Sequence, residues 1–270
     1  MLQAGDPVMR AKLEYRAGHH LKAKNILKRA AHRGNLNAQL MIADMYVHGR
    51  GIKKEPDKAI FWYKKAAEQK SAVAKYALAG IYEKGRSVEQ NQTAAIQWYL
   101  SAAKDQYPNA LFRLGEIFYG GKSVQRNYEE ARKWFEKAVD QNHTQAAYYL
   151  GYIYEHGKGI KPNPREALRW YERAAKGGDV NAQYNTASFY FLGKGVKQNH
   201  AKARYWYEQA AKQGDAASLY NLGSIFSQGI GVPKNKIIAF QYWLKAAKRS
   251  HQKAQERLDL LCEESPWACR

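Results

Sequence analysis

The stretch AAYYLGYIYEHGKGIKPNPREALRWYERAAKGGD, residues 146–179, decides the fold of this chain. Its first part, up to Gly157, has apolar or small residues at the spacing of one helix face. The turn from Gly157 to Gly159 predicts a helix end, because glycine tolerates the left-handed conformation that a helix C-cap needs. The second part also has helical spacing and ends at Gly177 and Gly178. The stretch therefore predicts two helices joined by a glycine turn.

The same pattern recurs six times at an interval of 36 residues, without an insertion or deletion. The repeats, numbered 1 to 6 below, are residues 36–71, 72–107, 108–143, 144–179, 180–215 and 216–251. Position 14 of each repeat is the turn glycine: Gly49, Gly85, Gly121, Gly157, Gly193 and Gly229. Position 24 is a small residue: Ala59, Ala95, Ala131, Ala167, Ala203 and Ala239. Position 27 is aromatic: Trp62, Trp98, Trp134, Trp170, Trp206 and Tyr242.

One such helix pair cannot bury its apolar face alone, so related pairs are expected to stack into a solenoid. The alanine at position 24 lets a neighbouring helix approach closely. The second turn glycine is replaced by Ser87 and Ser123 in two repeats, so those turns are expected to differ in backbone geometry. The predicted fold class is all-α, a solenoid of stacked antiparallel helix pairs.

These positions resemble the Sel1-like repeat, a relative of the tetratricopeptide repeat. Its pattern runs A-x-x-x-L-G-x-x-Y-x-x-G-x-G-V, then K-A-x-x-W-Y-x-x-A-A-x-x-G. The resemblance covers residues 36–251, about four-fifths of the chain. It implies a right-handed superhelix in which the first helices line the concave face and the second helices the convex face. It also implies a role as an adaptor, an inhibitor or a scaffold.

The residues on either side of the repeats are interpreted as caps. Residues 1–35 carry Tyr15, Gly18 and Ala23 in the order of the repeat, with a shorter turn, and predict a degenerate capping hairpin. Residues 252–270 predict a capping helix, whose charged outer residues suit a face in water, and a short tail.

The two cysteines of the chain, Cys262 and Cys269, both lie near its C-terminus. A disulfide between them would close a short loop and contribute about 2 to 3 kcal/mol on the chain-entropy model. Two free thiols in a cytosolic protein are the alternative. Because disulfides persist in oxidising compartments, the pair favours the bacterial periplasm or secretion over the cytoplasm. The N-terminal MLQAGDPVMR lacks the apolar core of a signal peptide, so that location would require a leader that has been removed.

The sequence contains none of the common enzyme motifs. Gly-x-Ser-x-Gly, the P-loop, His-Glu-x-x-His and Cys-x-x-Cys are absent. His19 and His20 are adjacent, and neighbours on a helix point about 100° apart, which does not suit a shared metal ion. We therefore predict no catalytic residue, no metal site and no cofactor. The position 27 tryptophans could stack on bases or sugars, but they are interpreted as core residues because each occupies a packing position.

Partner contacts are expected where the repeats differ from one another. By analogy with tetratricopeptide geometry, the groove-facing positions of the first helix are those of Asn37, Asp44, Val47 and His48. The predicted partner-binding residues are acids and large apolar or aromatic side chains: Asp44, Glu83, Glu116, Tyr119, Tyr148, Tyr152, Glu155, Phe191 and Leu192. Aromatic anchors that fill a partner's pocket contribute about 2 kcal/mol or more each. The alternative is that superhelical curvature buries some of these side chains.

The chain carries 44 Lys and Arg against 24 Asp and Glu, a net charge of +20. The basic residues concentrate in the N-terminal hairpin, the turns and the second helices rather than in the predicted groove. A channel for nucleic acid would place cations beside stacking aromatics along one track, so no specific nucleic acid is predicted as partner. The basic exterior could contact an acidic protein or an anionic membrane surface, or it is a solvated face that keeps the chain soluble.

Together these features favour a non-enzymatic protein, monomeric when unbound, that holds a protein partner on its concave face. The resemblance implies, most specifically, a bacterial immunity protein that neutralises a toxic effector enzyme, such as a type VI secretion phospholipase. One alternative is a periplasmic or secreted scaffold for envelope assembly or host-factor binding. Another is a binder of nucleic acid or anionic membranes, which has only the charge of the chain as support.

Overall fold

The computed structural model describes residues 5–85 and 89–264, and these residues form helices joined by turns, without a β-strand. In chain order the helices are α1 (Pro7–Arg16), α2 (His20–His32), α3 (Leu36–His48), α4 (Pro56–Glu68), α5 (Ala72–Lys84), α6 (Gln92–Lys104), α7 (Pro108–Gly120), α8 (Tyr128–Asp140), α9 (Thr144–His156), α10 (Pro164–Lys176), α11 (Val180–Leu192), α12 (His200–Lys212), α13 (Ala216–Gln228), α14 (Lys236–Ala247) and α15 (Gln252–Glu264). Each repeat contributes a first and a second helix, as its pattern predicts.

The helices belong to two compact units, residues 1–126 with α1–α7 and residues 127–270 with α8–α15. In unit 1 each helix packs on the next one along the chain, from α1 on α2 to α6 on α7. Unit 2 has the same order, from α8 on α9 to α14 on α15. The predicted all-α stack is confirmed within each unit, because every helix pair covers its apolar face with its neighbours.

Outside the repeats, the described residues contribute three further helices. In unit 1, α1 and α2 form a hairpin that packs on α3, and in unit 2 α15 packs on α14. Cys262 lies on α15. Its predicted disulfide partner, Cys269, lies outside the described residues, so that bond stays a prediction.

The turn after each first helix explains the two glycine positions. Gly157 caps α9 at φ 64°, and a Cβ there would lie 2.7 Å from Cγ of Pro162. The second glycine lies against the preceding repeat. A Cβ on Gly195 would lie 2.6 Å from the backbone carbonyl carbon of Pro164, where α10 begins. Both glycines are therefore needed for conformation and for close approach.

Repeat 3 has a different turn, as its serine predicts. Ser123 replaces the second glycine and does not adopt a positive φ. Its hydroxyl lies 3.1 Å from Gln92 Oε1, at the start of the preceding repeat's second helix. The expected change in turn geometry is confirmed here, whereas Ser87 lies outside the described residues.

The end of the second helix also requires a residue in the left-handed conformation. Glycine supplies it at three such sites: Gly34, Gly178 and Gly214. Residues with a side chain supply it at four others: Lys70, Gln106, Asn142 and Ser250. Because a Cβ is disfavoured there, these four sites carry a local cost that the glycine sites avoid.

Gln106→Gly is expected to raise the free energy of unfolding by about 1 kcal/mol, because Gln106 has φ 55° and glycine relieves that cost. Urea denaturation followed by circular dichroism measures the change. The control is Gln97→Gly in the exposed interior of α6, which should lower stability by about 1 kcal/mol. A loss of stability in both variants would contradict the argument.

The core of each helix pair is built on alanines and one aromatic residue. The alanines of position 24 are at most 1% exposed in every repeat. The aromatic residues of position 28 are buried as well: Tyr63, Tyr99, Phe135, Tyr171, Tyr207 and Trp243. Small residues on the first helix make room for these rings, and a Cβ on Gly151 would lie 2.5 Å from the Tyr171 ring.

The prediction that the position 27 aromatics are core residues holds fully for one repeat, whereas in the others these side chains pack at the edge of the core. Trp62 is buried, but the others are half-buried: Trp98, Trp134, Trp170, Trp206 and Tyr242. Successive helix residues point about 100° apart, so position 27 lies at the edge of the core when position 28 faces the first helix. The amine of Lys137 lies 4.4 Å from the ring centre of Trp134, and the guanidinium of Arg169 lies 5.2 Å from that of Trp170.

A polar pair ties the first helix of a repeat to the end of its second helix. Positions 4 and 34 form this pair in three repeats: Gln39 with Gln69, Lys75 with Asp105, and Gln183 with Gln213. Gln39 is 4% exposed, and the Gln69 amide donates to its Oε1 at 2.8 Å and to the Gly34 carbonyl at 3.1 Å. The pair satisfies a buried amide and links consecutive helix pairs.

Candidate functional site

In unit 1 the first helices of three successive repeats border a cavity of about 680 Å³, called the unit 1 groove below. The side chains that matter most for its chemistry are Val47 and His48 on α3, Tyr76 and Glu83 on α5, and Arg113 and Glu116 on α7. Two of the predicted partner-binding residues, Glu83 and Glu116, therefore lie in the same cavity.

Arg113 joins these two acids. Its Nη2 and Nε lie 2.6 Å and 3.1 Å from Glu83 Oε1, and its Nη1 lies 2.9 Å from Glu116 Oε2. The other oxygen of Glu83 accepts a hydrogen bond of 2.9 Å from the Tyr99 hydroxyl. Burial, and then the charge of Glu83, raises the pKa of Tyr99. Both oxygens of Glu83 are thus occupied, and its charge is compensated within the chain.

Glu155 repeats this arrangement in unit 2. The Tyr171 hydroxyl donates to its Oε2 at 2.6 Å, and Lys194 Nζ, from the turn of the next repeat, lies 2.7 Å from its Oε1. Glu83 and Glu155 both stand at position 12, and their side chains are 15% and 17% exposed. Each of these acids connects the two helices of its repeat to the next repeat. Their contact with a partner stays a prediction.

Asp44 lies apart from the other predicted acid contacts of unit 1. Its Oδ1 lies 2.9 Å from His48 Nδ1, and its Oδ2 lies 3.0 Å from Arg50 Nη1. Asp44 and Arg50 also border a second cavity of about 330 Å³, whose other walls are mainly apolar and include Tyr15 and Met41. Asp44 is therefore not part of the unit 1 groove.

The predicted aromatic and apolar contacts differ in exposure. Four of them are half-buried: Tyr119, Tyr148, Tyr152 and Phe191. The ring of Tyr152 stacks on that of His156 at 4.0 Å. Leu192, in contrast, is 69% exposed. The alternative that packing buries part of these side chains thus holds for four of the five, and Leu192 is the most accessible.

The cations that compensate Glu83 and Glu155 were not identified from the sequence. Arg113 is the only basic residue at position 6 of a repeat, which is a signal that could have been found. Lys194, however, stands at position 15. Because the two acids take their cations from different positions of the next repeat, comparing one position at a time does not reveal the pairs.

Buried tyrosines make the stability of the chain sensitive to alkaline pH. Burial raises the pKa of Tyr207 to about 12 from the ordinary 10. Burial, and then a hydrogen bond to Glu172, raises the pKa of Tyr190 to about 12. The unfolded chain loses these protons first, so their contribution to stability is complete below pH 10 and is lost between pH 10 and about 12.

We expect the urea midpoint to fall as the pH rises through this window, and Tyr207→Phe to reduce the fall because it removes one titrating hydroxyl. Urea titrations followed by circular dichroism at several alkaline pH values measure both effects. A midpoint that is constant through the window would contradict the prediction, as would a Tyr207→Phe slope equal to that of the wild type.

The described residues contain neither a helix long and apolar enough to cross a membrane nor a group of three His, Cys, Asp or Glu side chains placed to hold a metal ion. What the described groove offers is ion pairs, tyrosine hydroxyls and apolar side chains. Protein interfaces are built from these groups.

Comparison with known proteins places the repeats in a family. A family model for the Sel1 repeat matches the chain six times, at residues 36–71, 72–107, 108–143, 144–179, 180–215 and 216–251. No match was found among curated proteins.

Solved structures show the same fold. The Sel1 repeat protein of Oxalobacter formigenes is 31% identical over 90% of this chain and 99% of its own, with a TM-score of 0.74. The protein c5321 of uropathogenic Escherichia coli, described as a protective antigen with an SLR fold, is 28% identical with a TM-score of 0.87. That alignment covers 96% of this chain and 56% of c5321, so this chain spans little more than half of that relative.

An immunity protein is among the similar structures, with a lower sequence identity and TM-score. Pa5087 of Pseudomonas aeruginosa is 20% identical over 75% of this chain and 81% of its own, with a TM-score of 0.46. A likeness at this level does not bear on function. The six matched repeats, in contrast, cover most of the chain and coincide with its helix pairs. The chain therefore belongs to the Sel1 repeat family.

Proposed function

We propose that this chain binds a protein partner on the first-helix side of its repeats and does so without catalysis. Sel1 repeats are scaffolds for protein interaction, and the observation that carries the proposal is the unit 1 groove of about 680 Å³. Arg113 forms ion pairs with both acids that line it, and Lys54 and Lys84 border it as well. Because its acids are already paired, such a groove favours recognition by shape, aromatic contact and hydrogen bonding over recognition by electrostatic attraction.

In unit 2, Leu192 supports the proposal that the first-helix side of the repeats binds the partner. It stands at position 13, where the other repeats carry histidine, lysine, glycine or glutamine. Its side chain is 69% exposed at the end of a first helix. Burying such a side chain in a partner contributes about 2 kcal/mol, which suits an anchor of an interface.

We further propose that the partner is a toxic effector enzyme, which this chain neutralises as a periplasmic immunity protein. The stacked helices of each unit support this role, because they form a preorganised surface that could cover an active site at low entropic cost. The two cysteines support an oxidising compartment. A scaffold of the same location would bind a partner that is not toxic, so the toxicity of the partner separates the two roles.

Co-expression with the products of neighbouring genes tests the binding proposal. Leu192→Ser and Lys84→Glu, on the first-helix side, are expected to weaken a complex about ten-fold or more in a pull-down titration. The matched controls are Phe61→Ser and Lys64→Glu, exposed on the second helix α4, which should leave binding unchanged. Equal weakening by variants and controls would show that the first-helix side is not the binding face.

A growth assay tests the immunity role. A neighbouring gene product sent to the periplasm should arrest growth, and co-expression of the wild-type chain in the same compartment should restore it. The Leu192→Ser variant should restore growth less well. A bound neighbour that does not arrest growth would reject the immunity role while leaving the binding face intact.

A further inference from the structure

The N-terminal hairpin contains a pocket whose walls are strongly basic. A cavity of about 630 Å³ lies between α1, α2 and the start of α3. Arg10 on α1, Lys22 and Arg29 on α2, and Arg33, which follows α2 as its C-cap, line it and define what is called the basic pocket below. Lys22, Arg29 and Arg33 follow one another at intervals of seven and four, so they lie on the same side of α2 and its C-cap.

Most of the charge in this pocket is uncompensated. Lys22 Nζ lies 2.7 Å from Glu14 Oε1. Within residues 5–85 and 89–264, no ion pair or side-chain hydrogen bond is formed by Arg10, Arg29 or Arg33. Three exposed guanidinium groups around one cavity repel one another. A ligand that carries several negative charges would relieve this repulsion.

Arg33 also occupies a position that the repeats use for packing. It aligns with position 34, where Gln69 and Gln213 donate to a glutamine on the first helix of their own repeat. Arg33 makes no such bond with a described residue, and α1 is shorter than the first helices of the repeats. Position 34, which links helices in the repeats, is therefore available for a ligand in the N-terminal hairpin, where Arg33 occupies it.

We propose that the basic pocket binds an acidic segment of the protein partner, with two or more neighbouring carboxylates. Guanidinium groups bind carboxylates in a two-point geometry, and a cavity of this size accommodates several side chains. Pro7, Ile26 and Ala30 in the wall suit the aliphatic parts of such a segment. The cavity between α1 and α2 can admit a peptide segment, whereas a flat membrane surface does not enter it. The inference rests on the proposed protein partner and names the chemistry of a second contact with it.

Fluorescence anisotropy with a labelled peptide of repeated Asp-Glu and Gly-Ser pairs tests the inference at about 150 mM salt, where distant charges are screened. The wild type should bind it about ten-fold more tightly than the Asn-Gln version. Arg29→Gln with Arg33→Gln should weaken binding about ten-fold. Arg165→Gln with Arg257→Gln removes the same charge from exposed sites of unit 2 and should change the affinity less than about two-fold.

Equal losses in the two double variants would overturn the inference, because net charge alone would then explain binding. The inference would also be overturned if the wild type bound phosphatidylserine vesicles more tightly than the peptide and the Arg29→Gln, Arg33→Gln variant did not. The pocket would then be assigned to a membrane. Displacement of the peptide by inorganic phosphate at a lower concentration than by unlabelled peptide would likewise overturn the inference. Because the probe is synthetic, failure here leaves the Leu192 and Lys84 test of the groove unaffected.

Discussion

Tyr171→Ala is expected to lower the free energy of unfolding of unit 2 by about 4 kcal/mol, the range found when a buried aromatic ring is removed. Tyr171 is 0% exposed, and its ring fills the space beside Gly151 at the centre of repeat 4. The substitution leaves a cavity and removes the hydrogen bond of 2.6 Å to Glu155. Urea denaturation followed by circular dichroism measures the loss.

Two further variants divide this effect into its parts. Tyr171→Phe keeps the ring and removes the hydroxyl, so it should cost about 1 to 2 kcal/mol. Tyr205→Ala, at a side chain 52% exposed on α12, should cost less than about 1 kcal/mol. If Tyr205→Ala cost as much as Tyr171→Ala, burial at position 28 would not be what stabilises the repeat.

Gly151→Val is expected to cost about 3 kcal/mol, because it overpacks the same contact from the other side. A Cβ on Gly151 would lie 2.5 Å and 2.7 Å from two ring carbons of Tyr171, and that ring is enclosed. The helices α9 and α10 would have to separate to admit it. Urea denaturation gives the change, and hydrogen exchange of the α9 and α10 amides shows whether the loss is local to repeat 4.

Gly120→Val is the matched control for this substitution. Gly120 is the last residue of the first helix α7, and a Cβ there would meet nothing within 4 Å. Its stability should therefore stay within about 0.5 kcal/mol of the wild type. A loss in Gly120→Val as large as that in Gly151→Val would point to backbone effects of valine rather than to the contact with Tyr171.

The helix pairs could be predicted from sequence because their signals are local and occur six times. The turn glycines mark the helix ends, and Gly157 has the left-handed backbone that this role requires. The position 24 alanines are buried, as their constancy suggests. Which of positions 27 and 28 is fully buried could not be predicted in the same way. Both positions are aromatic, and which one faces the first helix depends on the rotation of the second helix in its stack.

The candidate site was predicted less completely than the fold. The sequence indicated acids on the first helices, and Glu83 and Glu116 do share a groove. It did not indicate that Arg113 pairs with both of them or that Tyr99 donates to Glu83 from inside the core. The two contacts of Glu83 join residues 16 and 30 positions apart, so they exist only after the helices have stacked.

The sequence by itself determined that this chain forms helix pairs, six of them in register, because the spacing of glycine, alanine and aromatic residues sets local conformation and the face that each helix buries. The tertiary structure decided which charges remain available. Packing brings Arg113 onto Glu83 and Lys194 onto Glu155, and it leaves Arg29 and Arg33 around a cavity without a described counter-charge. The reason is physical: helical periodicity is encoded within a few residues, whereas the compensation of a charge depends on neighbours that only the packed chain supplies.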